Sequence, residues 1–338
     1  MKRPLLISLL PLLLASCGGG QSSSIDGKTY FASLDAAAKA GLKNDAIGFL
    51  CDTGHIKASF SGTDGPTELE VRPLVGDIRI KGIHATSISG VQASILGKTK
   101  KHDESRLYAS GPSIPESIKV LDGLPVAIHT YIADSTAYFD FSNSGVLRTA
   151  ISNALIEQYP DYEGIMPRCH KKLDEYAEVE KYMPVDAKLE EYMTTLVQEF
   201  EKAYDTTPNA FTFATENEVS NITFQAMSWS TIRAVLDREE IQVSSFDVSS
   251  FFDEAEQKAN IDRCVINVGF VAGGLKSVGI DIAFTFTNAE SSEGSLVPSG
   301  TWTLSGDVEI SHGEDATPVV ISESVKKQCL KNEFTLPF

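Results

Sequence analysis

Apolar and polar positions along this chain follow two different periods, and the switches between them mark out its elements. Over residues 32–50, Leu34, Ala37, Ala38, Leu42, Ile47 and Leu50 recur at helical spacing, which predicts a helix closed by a turn at Asp52-Thr53-Gly54. Residues 55–141 alternate with period two in short runs at 56–60, 68–71, 77–81 and 105–108. A hairpin follows, 126–132 against 136–141 across Ala133-Asp134-Ser135. This is the pattern of an antiparallel meander with one apolar face. Helical spacing returns at 146–159 (Leu147, Ala150, Ile151, Ala154, Leu155) and at 186–204 (Leu189, Tyr192, Met193, Leu196, Val197, Phe200). The charged stretch 160–185 between them reads as a lid-like excursion. A second strand-rich section has strands at 211–215 and 221–226 and a short helix at 230–238 capped by Ser228. Long strands at 264–271, 277–287 and 300–310 close it.

Helix, meander, helices, meander is not the strict alternation of a parallel sheet. It predicts an α+β fold: a large incurved antiparallel sheet, a half-barrel, with helices packed in or over its concave face. The apolar face of such a sheet is either a filled core or a hollow.

The amino terminus has a different pattern. Lys2 and Arg3 precede an apolar run from Leu5 to Leu14, too short to cross a hydrocarbon core of roughly 30 Å and laid out as a secretory signal. It ends in Leu14-Ala15-Ser16-Cys17, followed by Gly18-Gly19-Gly20. These residues resemble the lipobox of bacterial lipoproteins, which implies diacylglyceryl transfer to the Cys17 thiol and cleavage before it. The expected organisation is a signal peptide at 1–16, a lipidated Cys17 with a flexible tether at 17–28, and one α+β domain at 29–338 with a helical insertion at about 143–205. The expected location is extracytoplasmic, held to the membrane by lipid. Gly18 stands where an Asp would resemble an inner-membrane retention signal, which favours the outer membrane in a two-membrane cell.

Charge sharpens this picture. The formal net charge is −17, and −19 once Lys2 and Arg3 leave with the signal. Such acidity argues against nucleic acid and against adsorption to anionic lipid, so membrane attachment needs the covalent anchor. Cys51, Cys169, Cys264 and Cys329 remain after the anchor. Their even number in an exported chain predicts two disulfides with the connectivity open, and their wide spacing excludes a zinc ribbon or a Cys-x-x-Cys redox site.

Candidate chemistry is sparse. Asp52-Thr53-Gly54 imitates an aspartic-protease triplet but has no second copy to share its proton. Gly273-Gly274-Leu275-Lys276-Ser277 lacks the spacing of a phosphate loop and reads as a hairpin turn. The six histidines have no metal-ligand spacing, and only His170 beside Cys169 has a suggestive neighbour. Glu190, Glu191, Glu199 and Glu201 read as the solvated face of an amphipathic helix. No catalytic residue, metal or cofactor is assigned, and the chain is not expected to be an enzyme. The remaining resource is aromatic. Tyr138, Phe139, Phe141, Phe224, Phe270, Phe284, Phe286 and Trp302 lie on expected strands and are candidates for lining an apolar pocket, against the alternative that they are plain core.

In layout the chain resembles lipoproteins and carriers of the LolA/LppX/LprG-like type. The resemblance rests on the lipobox with its tether, on Tyr131-Ile-Ala-Asp-Ser-Thr-Ala-Tyr-Phe-Asp-Phe-Ser142, and on the closing strands at 261–287 and 302–310. It implies helices seated in the concavity of a curved sheet, around an apolar pocket for acyl chains. The acidic segment 160–205 has no counterpart there. The expected function is binding of a hydrophobic or amphiphilic ligand, a lipid or an acylated protein, for transport or envelope maintenance. The alternative is a solid-cored surface module that binds an envelope protein partner or serves as a scaffold.

Overall fold

The computed structural model describes residues 26–62, 65–112, 114–146, 149, 168–173, 186–236, 256–286 and 299–330. The signal, Cys17, most of the tether, the helix expected at 146–159 and most of the segment 160–185 lie outside the described residues. In chain order the elements are α1 (Gly27–Leu42), β1 (Ala46–Gly62), β2 (Gly65–Lys81), β3 (Gln92–Leu96), β4 (Arg106–Ser110), α2 (Glu116–Lys119), β5 (His129–Ala133), β6 (Thr136–Asp140) and β7 (Arg168–Lys172). They continue as α3 (Asp186–Thr206), β8 (Phe211–Glu216), β9 (Val219–Ala226), α4 (Trp229–Leu236), β10 (Ala259–Val271), β11 (Gly274–Phe286), β12 (Gly300–His312) and α5 (Glu323–Cys329).

The strands form one antiparallel sheet in the order β7-β6-β5-β3-β2-β1-β12-β11-β10-β9-β8, with β4 added beside β2. Its two ends do not pair with each other, so the half-barrel is open and the α+β expectation holds. Two hairpins turn through left-handed residue pairs, Asp134-Ser135 between β5 and β6 and Asn217-Glu218 between β8 and β9. Their positive φ values match the twist of the strands they join.

One face of the sheet carries α1, α3 and α4. Asp26 caps α1 by accepting from the Lys28 amide at 3.3 Å. The buried face of α1 (Tyr30, Phe31, Leu34, Ala37, Ala38) meets Met193, Leu196 and Val197 of α3 and Phe211, Ile222, Phe224 and Ile266 of the sheet. Phe31 is central, its ring edge-on to Phe211 and Phe213 at 5.9 Å. The opposite, back face is crossed by the carboxyl-terminal segment. Arg79 Nη1 donates to the Asp315 carbonyl at 3.3 Å, the Val319 amide donates to Ser94 Oγ at 3.0 Å, and α5 settles over Tyr138 with Ile321 and Cys329.

The first expected helix is corrected: α1 ends at Leu42, and Ile47, Leu50 and Asp52-Thr53-Gly54 belong to β1. Their apolar spacing fits both periods, and pairing of β1 with β2 and β12 settles it as strand.

The expected pair of disulfides is also corrected. Cys51 and Cys264 are free thiols, and no disulfide joins the described residues. Both side chains face α1–α3–α4, but β12 and β11 stand between their strands. Three strand spacings alone separate them by about 14 Å, and register sets them further apart along the strands, where a disulfide needs Cα atoms within about 7 Å. Cys329 lies across the sheet from both, its Sγ 3.6 Å from the Phe139 carbonyl. The side chain of Cys169 lies outside the described residues. Burial pushes the Cys264 thiol up to about 12 and raises Cys51 as well, so neither is a ready thiolate.

Two outcomes are expected. Phe31→Ala should destabilise the protein by about 3–5 kcal/mol in urea unfolding, through the void it leaves under α1. Under native conditions iodoacetamide should label neither Cys51 nor Cys264 appreciably; after denaturation without reductant both should be labelled, as mass spectrometry of the peptides would record.

Candidate functional site

Strand register lines up three rows of side chains on the face that carries the helices. The first row runs Leu107, Val71, Ile56, Leu304, Ile282 from β4 through β2, β1 and β12 to β11. The second is Ala109, Leu69, Ala58, Trp302, Phe284, and the third is Thr67, Phe60, Gly300, Phe286. Together they make an apolar floor about 19 Å long across the strands and about 14 Å wide along them. At the β10 side the floor passes under α4 and is closed over. Towards β1, β2 and β4, Ile56, Phe60, Leu69, Val71, Leu107 and Leu304 remain half-buried.

Aromatic rings lead from the closed side to the open one. Trp229 of α4 stacks on Phe284 at 5.7 Å, Phe286 follows, then Trp302, then Phe60 edge-on to Trp302 at 5.7 Å. Trp229 is anchored, its indole N–H donating to the Ala259 carbonyl at 2.7 Å, and is 8% exposed, whereas Trp302 is 40% exposed. The reverse side of the same strands is polar: Lys57 pairs with Glu68 at 2.7 Å, Glu70 takes both His55 and Arg72, and Arg72 lies over the Tyr108 ring. Alternation therefore writes one dry face and one wet face into the same residues.

The sequence-predicted aromatic set divides on this geometry. Phe284, Phe286 and Trp302 are on the floor. Phe139 and Phe141 stack on each other at 6.1 Å on the same face but at the β6 end of the sheet. Phe224 and Phe270 are 1% and 2% exposed in the core beneath α1 and α3 and offer no surface to a ligand. Tyr138 points to the back face under α5, with the Lys326 ammonium 5.8 Å from its ring. Aromatic content alone does not mark the aliphatic rows, although the alternating runs that build them are plain in the sequence.

The space enclosed under α1 and α3 is small. A cavity of about 40 Å³ lies among Phe31, Leu34, Met193, Leu196, Phe224 and Ile266. That is room for a few water molecules and far below the roughly 300–1,000 Å³ of ligand pockets. This region is a packed core.

Other candidates take structural places. Asp52-Thr53-Gly54 sits in an irregular stretch of β1, with Asp52 paired to Lys101 at 2.9 Å and Thr53 Oγ accepting from the Asp307 amide. Gly273 and Gly274 turn between β10 and β11, as the hairpin reading requires. His170 Nδ1 is 3.0 Å from the Cys329 carbonyl, which seats α5. Glu199 is 2% exposed and bonded to Lys202, so it is not part of a solvated face. On the back face His129 meets Asn143 at 3.3 Å, while Ser142 Oγ donates to Asp140 at 2.5 Å. The serine proton is thus directed at a carboxylate and not at an imidazole. Burial, helped by the Lys98 charge, lowers the His129 pKa against the opposing pull of Asp140. Among the described residues no cluster of three or more His, Cys, Asp or Glu is placed to hold a metal, and no helix is long and apolar enough to cross a membrane.

No protein-family model matches the sequence, and no curated protein does. Among solved structures the chain is similar to one described as lipid–protein interactions in lipovitellin, at 7% identity and a TM-score of 0.27, over 83% of this chain and 26% of that one. The chain spans about a quarter of the length of that structure. A superposition of this quality says nothing about what the chain does.

Proposed function

We propose that this chain is an extracytoplasmic lipoprotein, anchored through Cys17, that holds a hydrophobic or amphiphilic ligand against the apolar floor of its sheet. It acts as a carrier or receptor and performs no chemistry on what it binds. The supporting observation is the floor: two apolar rows kept in register across β4, β2, β1, β12 and β11, with Phe60 and Phe286 in a third, where Ile56, Phe60, Leu69, Val71, Leu107 and Leu304 are half-buried and Trp302 is exposed. The lipobox supports the same reading, because an anchor holds the floor within reach of membrane lipid.

The magnitudes are consistent. An acyl chain laid across the floor and burying about ten methylenes gains about 8 kcal/mol. That corresponds to micromolar binding at best, before the cost of ordering the chain. Exchange rather than permanent storage follows from such an affinity. A second reading, a module that covers its floor with a protein partner, is favoured by the small enclosed cavity.

The test uses the unacylated Cys17→Ser protein with a fluorescent fatty acid. Binding is expected in the micromolar range, with lipid retained from the expression host in native mass spectra. Trp302→Ala should weaken it about tenfold, whereas Thr303→Ala, one residue along β12 and on the back face, should leave it unchanged. Absence of binding, or equal effects of the two substitutions, overturns the proposal; a stoichiometric protein partner without lipid uptake would favour the second reading.

A further inference from the structure

His312 ends β12 on the face that carries α1, opposite Ile47 of β1. Its ring is held between two glycines from different elements. A methyl group built on Gly41, in the last turn of α1, would lie 2.7 Å from Cε1, 3.0 Å from Nε2 and 3.3 Å from Nδ1. One built on Gly274, at the β10–β11 turn, would lie 2.7 Å from Nε2. Only residues without a side chain let both backbones close on the imidazole. The ring therefore sits where the carboxyl end of α1, the β10–β11 turn and the end of β12 converge.

Its hydrogen bonding is one-sided. Nε2 donates to the Leu275 carbonyl at 3.2 Å, and Nδ1 is buried without a partner. A second proton would go onto Nδ1, which is buried without a hydrogen-bond partner beside the last turn of α1, so the imidazolium charge is left unpaired there. From the β10–β11 turn, Lys276 sets a positive charge against the ring. From the α1–β1 turn, Asn44 uses its amide to bond the Gly41 carbonyl. Lys43, Asp45 and Glu314 are the nearby charged residues in sequence, all exposed. We propose that His312 is an acid-operated latch on α1: protonating Nδ1 forces the last turn of α1 off the sheet and uncovers the apolar core beneath it.

Burial is the main cause that lowers the His312 pKa, and Lys276 adds to it against the pull of the Leu275 carbonyl. The closed form thus refuses a proton that an open, solvated ring accepts below about pH 6.5. Above that pH the latch is at full strength. As pH falls it weakens by up to about tenfold per unit, until the closed ring protonates too. Since α1 brings Phe31 and Leu34 to the core cavity, release of its end would give ligand a route inward. That last step rests on the ligand-binding reading; the latch itself does not.

Hydrogen exchange on the full chain at about pH 7.5 and about pH 5.5, corrected for intrinsic rates, tests both. Protection across the last turn of α1 should fall about tenfold in acid while central β11 amides hold. In His312→Gln, which keeps an N–H for Leu275 but cannot titrate, the fall should vanish. In Lys276→Gln, at an exposed position, the His312 resonance should titrate at higher pH and the acid loss should shrink. Equal protection at both pH values, or the same fall in His312→Gln, overturns the latch. If protection falls but a fluorescent fatty acid enters no faster in acid, the latch stands and the ligand route through the core is overturned.

Discussion

The two longest strands of this sheet, β1 and β2, change the parity of their inward residues halfway along, and the rest of the molecule depends on that change. In β1 the inward side chains are odd-numbered at Ile47, Phe49 and Cys51, and even-numbered at Ile56, Ala58 and Phe60. The register shifts between Cys51 and His55 against β12, and around Gly54 against β2. In β2 the inward set moves likewise, from Leu69 and Val71 to Ile78 and Ile80. A bulge inserts a residue and turns every later side chain over. Without it either the floor half of β1 would turn Lys57 and Ser59 inward, or the core half would put Gly48 and Leu50 where Ile47 and Phe49 now pack. Close approach makes the irregularity possible: a methyl group on Gly306 would fall 2.8 Å from the Gly54 Cα.

From this constraint follow two unlike halves of one apolar face. Over β8–β11, α1 and α3 close a core around a cavity of about 40 Å³ lined by Phe31, Met193, Leu196 and Phe224, too small for a drug-sized or acyl ligand. Over β4, β2, β1 and β12 the apolar rows continue, but Ile56, Phe60, Leu69, Val71, Leu107 and Leu304 stay half-buried and Trp302 is exposed. His312 stands at one end of the helix-covered half and Trp302 at the start of the same strand, so β12 spans from the fastening of α1 to the open floor. Movement at one end and contact at the other therefore share a single strand.

The parity switch also explains what could be read in the sequence. The runs 56–60 and 68–71 are visible as strands because each lies wholly on one side of an irregularity. Their continuations at 47–51 and 77–81 look like separate segments, and residues 47–50, joined to the preceding alanine-rich stretch, pass for helix. Register pairing, a long-range property, was needed to merge them into strands of 17 residues each. The strands β8 to β12, the helix α3 and the cap at Ser228 were legible from period and turn chemistry, with the Ser228 hydroxyl accepting from the Thr231 amide at 3.4 Å. Phe224 and Phe270 could not be told from Phe284 and Trp302 by sequence, because all four alternate correctly. Only the placement of α1, α3 and α4 decides which rings are covered. The back-face helix α5, which takes Tyr138 out of the candidate set, gave no signal stronger than a short polar tail.

A floor of this kind costs stability if nothing uses it. The floor covers roughly 270 Å² in plan, and its open part towards β1, β2 and β4 forgoes a few kcal/mol (about 25 cal/mol per Å²) that burial would have returned. It also approaches the size of patch that soluble monomers reserve for contact. The same strands show that the alternative was available: their back-face positions hold Lys57, Ser59, Glu68, Glu70, Thr301 and Thr303, which tolerate water without penalty. Polar residues on both sides would keep the hydrogen bonds of the ladder intact, since backbone pairing is indifferent to which face is dry. What an apolar floor adds to a ladder already paired is a surface for something else to cover, and the rows from Leu107 to Ile282 run across five strands to provide it.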